Sequence, residues 1–334
     1  MRLLWAGLLL CGLCLGDVAA NRPASVTVTP PEVRTIRVAV RPQTEPGQLL
    51  KLKDFTVRMN GKPAPVVRLK TPADGQMILI VLDLADDLTD AQAAKDAVAE
   101  EIGKLPASTW VALIRAQDGP TVLVDPTANR AAINEALQAS AVTGKAGLLD
   151  SLLPVEALAD GIAQASNVRV AVLYVTDSNV RNYREDFANP VINSSDSHDL
   201  SRRFPEALIE EKIGKLENEM AARETPVFIA HLRYNTSTLG AAYQSGLKRL
   251  SEGTGGWSAF CASTAEIPET IAQAFLAISS QYTLTVGLPP RAAGTVQIHV
   301  EAPDQEFLYR SRLLLRHGGR SRRDEARPGD KLNK

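Results

Sequence analysis

The chain has 334 residues, 37 Lys and Arg against 38 Asp and Glu, a formal net charge of −1 and three cysteines; it is 45% hydrophobic and 5% aromatic. Three cysteines exclude a disulfide scaffold, and an ordinary apolar fraction with balanced charge excludes a disordered polyelectrolyte. The balance also removes the global basic excess that would point to nucleic acid as partner.

Residues 1–20, MRLLWAGLLLCGLCLGDVAA, place one Arg before an apolar run and end in Val18-Ala19-Ala20. This pattern predicts a secretory signal peptide cleaved after Ala20. The run falls short of the roughly 20 apolar residues that a spanning helix needs, and no later stretch approaches that length. Cys11 and Cys14 leave with the signal, so Cys261 remains without an internal partner. The expected location is secreted or periplasmic.

Residues 21–76 are strand-like and punctuated by proline. Ser25–Thr29 and Thr35–Val40 alternate, and Phe55–Arg58 leads into Asn60-Gly61, a strong hairpin signal with Val66–Leu69 as the expected return strand. At Gln76 the pattern changes. Met77–Asp83 (MILIVLD) is a continuous apolar run, as in a strand buried on both faces. Thr89 and Gln92 read as a capping box opening a helix that Pro106 stops. Thr109–Arg115 and Pro120–Val124 read as strands, with helices at about 127–139 and 147–164. Val168–Thr176 (VRVAVLYVT) is a second doubly apolar strand. Residues 178–204 form a long polar loop, and Glu206–Arg223 is helical. Pro226–Leu232 is a strand, 238–252 a helix, Trp257–Phe260 a short strand and 264–280 a helix.

Such β/α alternation predicts an α/β fold, a doubly wound and mostly parallel sheet over 77–280. After Ser280 strands return at Tyr282–Val286, Thr295–Glu301 and Phe307–Leu315. Residues 281–316 are expected to pair with 21–76 in one small sheet, a β module appended to the α/β domain. Residues 317–334 read as a disordered, solvated polar tail with a basic start.

In open α/β sheets ligands bind beyond the carboxyl ends of the strands, where strand order reverses. Met77–Asp83 ends in a carboxylate followed by Asp86 and Asp87; Val168–Thr176 is followed by Asp177 and Ser178. If these strands are neighbours, the carboxylates converge in a cluster suited to Mg²⁺ or Ca²⁺. Equally, Asp after a strand caps the next helix.

The run from Met77 to about Ser280 resembles a von Willebrand factor type A domain. The flanks resemble a bacterial subfamily: Lys53-Asp54-Phe55-Thr56-Val57 with Asn60-Gly61-Lys62-Pro63, the Gly144–Asp150 loop (GKAGLLD), Gln281–Leu284 and Tyr309–Arg312. The resemblance implies a Rossmann-like adhesion module with a metal-ion-dependent site built on Asp-x-Ser-x-Ser, a Thr in a later loop and a late Asp. Here the first motif reads Asp83-Leu84-Ala85-Asp86-Asp87, the Thr position is Ala146, and the late Asp is Asp177. Methyl groups replace two hydroxyl ligands, so the site reads as degenerate.

Three functions follow as expectations. The first is a protein- or glycan-binding module that needs no cofactor, presenting Asp83, Asp86, Asp87, Lys145, Asp177 and Ser178. The second keeps Mg²⁺ or Ca²⁺ on Asp83, Asp87 and Asp177. The third, a hydrolase using the acidic cluster, lacks a nucleophile elbow and any His paired with a nucleophile; the chain is expected not to be an enzyme. His198 lies in a polar loop, His231 ends an apolar strand, and His299 alternates in a strand. Gly253–Gly256 reads as a helix stop rather than a dinucleotide loop.

Overall fold

A computed structural model describes residues 34–44, 48–179, 205–289 and 292–315. The signal segment, Ser25–Thr29, residues 180–204 with His198, and the tail 317–334 lie outside the described residues. In chain order the elements begin with β1 (Thr35–Pro42), β2 (Thr56–Met59), β3 (Lys62–Ala64), β4 (Val66–Lys70), β5 (Gln76–Asp83) and α1 (Leu88–Lys104). Then come β6 (Thr109–Arg115), β7 (Thr121–Thr127), α2 (Arg130–Ala139), α3 (Leu148–Ala165), β8 (Arg169–Thr176) and α4 (Pro205–Met220). The chain continues through β9 (Val227–His231), α5 (Thr238–Thr254), β10 (Trp257–Phe260), α6 (Ile267–Ser279) and β11 (Tyr282–Gly287). It ends with β12 (Gly294–Glu301), β13 (Phe307–Tyr309) and β14 (Arg312–Leu315).

The central sheet runs β10-β9-β8-β5-β6-β7. All neighbours are parallel except β6 and β7. β5 and β8 are apolar on both faces because helices cover both. The α1, α2 and α6 side chains pack on one face and those of α3, α4 and α5 on the other. Every residue of β8 is buried. Strand order reverses between β5 and β8, which places the crevice of a doubly wound sheet above Asp83 and Thr176, directly opposed in register.

The remaining strands form two further sheets, β13-β1-β11-β4 and β14-β12-β2-β3. Their alternating inward residues, including Val38, Phe55, Val57, Tyr282, Leu284, Ile298 and Phe307, share one core. Three expectations are corrected here. The chain ends make two facing sheets, not one. The Asn60-Gly61 turn, with both residues at positive φ, returns through β3 instead of Val66–Leu69. Pro65 has no N–H to extend that ladder, and β4 pairs with β11 in the other sheet. Phe307–Leu315 is not one strand: it breaks at Arg310, whose guanidinium turns inward to the carbonyls of Ala221 and Arg223 just beyond α4. There it pins the turn that follows α4, whose Ala221 carbonyl also accepts the Leu314 N–H at 2.8 Å.

Arg169, at the start of β8, ties the β module to the α/β body. Its guanidinium donates to the carbonyls of Pro72 (3.0 Å) and Asp74 (3.4 Å), on the segment entering the α/β body. It also reaches those of Ser279 (3.3 Å) and Gln281 (2.8 Å), on the segment leaving it.

Candidate functional site

The site forms where the loops after β5, β8 and β9 meet the start of α3. Asp83 is fully buried. Its Oδ1 accepts the Gly147 N–H at 2.8 Å, and its Oδ2 accepts the Leu148 N–H at 3.2 Å and the Thr176 hydroxyl at 3.1 Å. The first amides of α3 thus point at the carboxylate, as helix N-termini favour anions. Glycine is required at 147: a Cβ there would lie 1.9 Å from the Ala116 carbonyl oxygen. Burial pushes the Asp83 carboxyl up to about 6, and the hydrogen bonds from Gly147, Ser178 and Thr176 pull it back.

Asp177 sits in a ring of backbone donors. Its Oδ1 accepts from Ala85 N–H (2.8 Å), and its Oδ2 accepts from Asp86 (2.9 Å) and Asp87 (3.1 Å). The loop after β5 therefore wraps the carboxylate that follows β8, a backbone anion nest. Asp177 is buried, and that burial raises its pKa against the three N–H groups.

Asp87 is the N-cap of α1. Its Oδ1 accepts from Thr89 (2.8 Å) and Asp90 (3.1 Å) N–H groups. The helix therefore starts at Leu88, and the Thr89–Gln92 box is corrected: an Asp one position before the helix supplies the stronger cap. Asp87 Oδ2 faces Arg233 Nη2 at 2.8 Å, and the same nitrogen lies 2.7 Å from Asp90 Oδ2. Asp86 is exposed and accepts from the Asn179 amide at 3.0 Å.

Ser178 is buried and does not reach the surface, which corrects its place among the surface residues. Its hydroxyl lies 2.7 Å from Thr176 Oγ1 and 3.0 Å from the Tyr243 hydroxyl. Asp83 and Asp177 are buried likewise. Asp86 and Lys145 are exposed, and Asp87 half-buried. His231 is a core histidine: Nε2–H donates to the Ser178 carbonyl at 2.7 Å, and Nδ1 accepts the Arg233 N–H at 3.2 Å. Burial pushes its pKa down to about 4, so it is neutral. Cys261 is buried, with Sγ 3.3 Å from Thr270 Oγ1.

This donor set does not fit a divalent cation. Both oxygens of Asp83, Asp87 and Asp177 already accept N–H or O–H groups, and a donor aimed at a carboxylate puts positive charge where an ion would sit. Ala85 and Ala146 offer methyl groups where hydroxyls would coordinate. Among the described residues no group of three or more His, Cys, Asp or Glu side chains is arranged to hold an ion. Sequence reasoning passed over Arg233, which is the cation at this cluster. The available signal was an Arg just after β9, a third strand ending at the same crevice.

No protein-family model and no curated protein matches the chain. Solved structures similar to it include a von Willebrand factor type A protein from Catenulispora acidiphila, 11% identical with a TM-score of 0.43, covering 87% of this chain and 76% of that one. A second is the von Willebrand domain of the type V pili tip protein Mfa5 from Porphyromonas gingivalis, 13% identical with a TM-score of 0.41, covering 63% and 96%. A third is proximal thread matrix protein 1 from the mussel byssus, 12% identical with a TM-score of 0.39, covering 62% of this chain and about half (49%) of that one. The strand order, rather than these remote likenesses, carries the assignment. The six-stranded sheet with one antiparallel edge strand and two loops interlocked over the β5–β8 switch point make this a doubly wound, Rossmann-like α/β fold, the architecture that the von Willebrand factor type A resemblance implied.

Proposed function

We propose that the chain is a secreted or periplasmic binding module of the adhesion type that engages a protein partner without metal and performs no catalysis. The observation that carries this reading is Arg233. Its guanidinium supplies the positive charge to Asp87 and Asp90 that a bound ion would otherwise bring to such a cluster. Around it stand exposed apolar side chains: Leu88, next to Asp87, is 72% exposed, and Tyr234, next to Arg233, is 50% exposed. Large apolar side chains beside charged groups on one rim are the composition of a protein-docking surface. Asp86 and Lys145 are exposed near the same crevice. Among the described residues no helix is long and apolar enough to cross a membrane.

Photo-crosslinking in intact cells tests this. A benzophenone side chain at position 88 is expected to capture a discrete protein partner, and the same probe at exposed Val67, on the β module, is not. The adduct is expected to persist in excess chelator. Loss of the adduct with chelator favours the metal-dependent reading on Asp83, Asp87 and Asp177. Equal capture from both positions, or none from 88, overturns the docking face.

A further inference from the structure

We propose that the outer face of the β14-β12-β2-β3 sheet binds an anionic polysaccharide through its sulfate or phosphate groups. Antiparallel register places Arg58 opposite His299 and Arg312 opposite Gln297. Directly opposed residues share a face, and these four are exposed while their neighbours Val57, Ile298 and Leu313 enter the core. The four side chains therefore stand together around a shallow depression of about 460 Å³ that Gly61 and Ser311 also line.

Its net charge is positive. Among the described residues neither the Arg58 nor the Arg312 guanidinium has an acceptor. Glu301, two residues beyond His299 on the same face, accepts from His299 Nε2 at 2.8 Å and offsets one of the two positive charges, leaving an excess of one. The floor is fixed. The Gln297 N–H donates to Asn60 Oδ1 at 2.8 Å, and the Asn60 N–H donates to the Gln297 carbonyl at 2.9 Å. The Tyr309 hydroxyl accepts the Val300 N–H at 3.1 Å and lies 3.3 Å from His299 Nδ1. Tyr309 thus donates to Nδ1 and leaves the proton on Nε2 for Glu301.

Guanidinium forks match the planar or tetrahedral oxygens of an oxyanion, and the Gln297 amide and Ser311 hydroxyl supply neutral hydrogen bonds beside them. The two arginines rise from strands on either side of β12, roughly 10 Å apart across the sheet. That span suits charged groups repeated along a chain better than a lone ion. The one apolar side chain lining the depression, Ile298, is set into the core and offers no anchor of the kind a peptide would use, and the one ring there, the His299 imidazole, is held edge-on by Tyr309 and Glu301. A hydrated sugar polymer remains.

The experiment is calorimetric titration of the full chain with heparin, with a polyglycerol phosphate, and with poly-glutamate as the peptide control. One or both of the first two are expected to bind, and which one binds identifies the oxyanion. Affinity is expected to fall as salt rises and to drop at least tenfold in Arg58→Gln/Arg312→Gln, with the melting temperature unchanged because both side chains are exposed. The Arg320→Gln/Arg322→Gln/Arg323→Gln variant, in the basic tail, is expected to bind within twofold of the wild type, and Arg233→Gln likewise. Unchanged binding in the Arg58/Arg312 variant, loss in the tail variant instead, equal affinity for poly-glutamate, or no binding of either polysaccharide overturns the site. Since the docking face of the proposed function lies around Arg233, each reading fails separately.

Discussion

Arg233 Nη2 lies 2.7 Å from Asp90 Oδ2, joining the loop after β9 to the first turn of α1. Asp90 is 2% exposed, and its other oxygen accepts only the Thr264 hydroxyl, at 2.5 Å. The Arg233→Met variant leaves that carboxylate buried with one donor. The expected cost is about 2 kcal/mol, less than for a fully buried pair because solvent reaches the guanidinium. The variant should also acquire what the wild type lacks. Millimolar Mg²⁺ or Ca²⁺ is expected to raise its melting temperature and leave that of the wild type unmoved. Scanning calorimetry of both proteins, with and without ion, decides it; identical responses remove Arg233 from the role of resident cation.

Asp177 holds the loop after β5 by three N–H groups. In Asp177→Asn one carboxylate oxygen becomes an NH₂ group facing donors. A loss of about 2–4 kcal/mol is expected for hydrogen bonds to a charged acceptor. The local signature is sharper than the global one: the Ala85, Asp86 and Asp87 amides should exchange at least tenfold faster while β5 amides below them keep their protection. Hydrogen exchange by NMR reads this directly, and unchanged rates at those three amides would remove Asp177 as the organiser of the loop.

Strands buried on both faces were legible because apolarity alone reports such burial. Thr109–Arg115 matches β6 residue for residue, and the short strand expected near Trp257–Phe260 is the half-buried β10. The convergence of Asp83 and Asp177 was legible as a condition on β5 and β8 being neighbours, and they are. What escaped depends on where charged side chains point. Arg310 sits in a strand-like alternation yet folds inward onto the turn after α4; Arg169 reads as a strand flank and binds four carbonyls from two distant segments. Asp87 and Thr89 are both good caps two positions apart; Asp87 caps through Oδ1 while Arg233, from another part of the chain, holds its Oδ2.

Arg169 yields a prediction of its own. Burial pushes its pKa down to about 10, still charged at neutral pH. Its five carbonyl and amide acceptors, including Gln76 Oε1 at 3.3 Å, need the breadth of a guanidinium. Arg169→Lys keeps the charge but offers three donors from one nitrogen, so carbonyls on one of the two connecting segments lose their partner. Stability should fall by about 2–3 kcal/mol. Limited proteolysis should begin at residues 71–75 or 279–281, ahead of any cut within β5 or β8. Wild-type cleavage kinetics at both segments would show that the clasp does not hold the β module in place.

Asp83 and His231 respond to acid in opposite senses. The folded Asp83 carboxyl, pushed up to about 6 chiefly by burial, binds a proton more readily than it does unfolded. Its ionisation therefore costs stability progressively from about pH 4 to 6, and the full cost, about 3 kcal/mol, is present above that range. The folded His231 imidazole, pushed down to about 4 by burial, resists a proton that the unfolded chain accepts near 6.5. Stability is therefore lost as pH falls from about 6.5 to 4, by a similar amount. The two slopes nearly cancel in the wild type. Other buried carboxyls, Glu156, Asp177 and Glu224, are also raised, so only a difference between proteins isolates Asp83. Asp83→Asn loses an acceptor at every pH but never ionises. Its deficit against the wild type should therefore be largest near pH 4 and shrink toward pH 7, where the wild type carries the buried charge. Urea melts of both proteins at half-unit intervals from pH 4 to 7.5 measure that deficit, and a constant deficit across the series would mean that Asp83 does not titrate there.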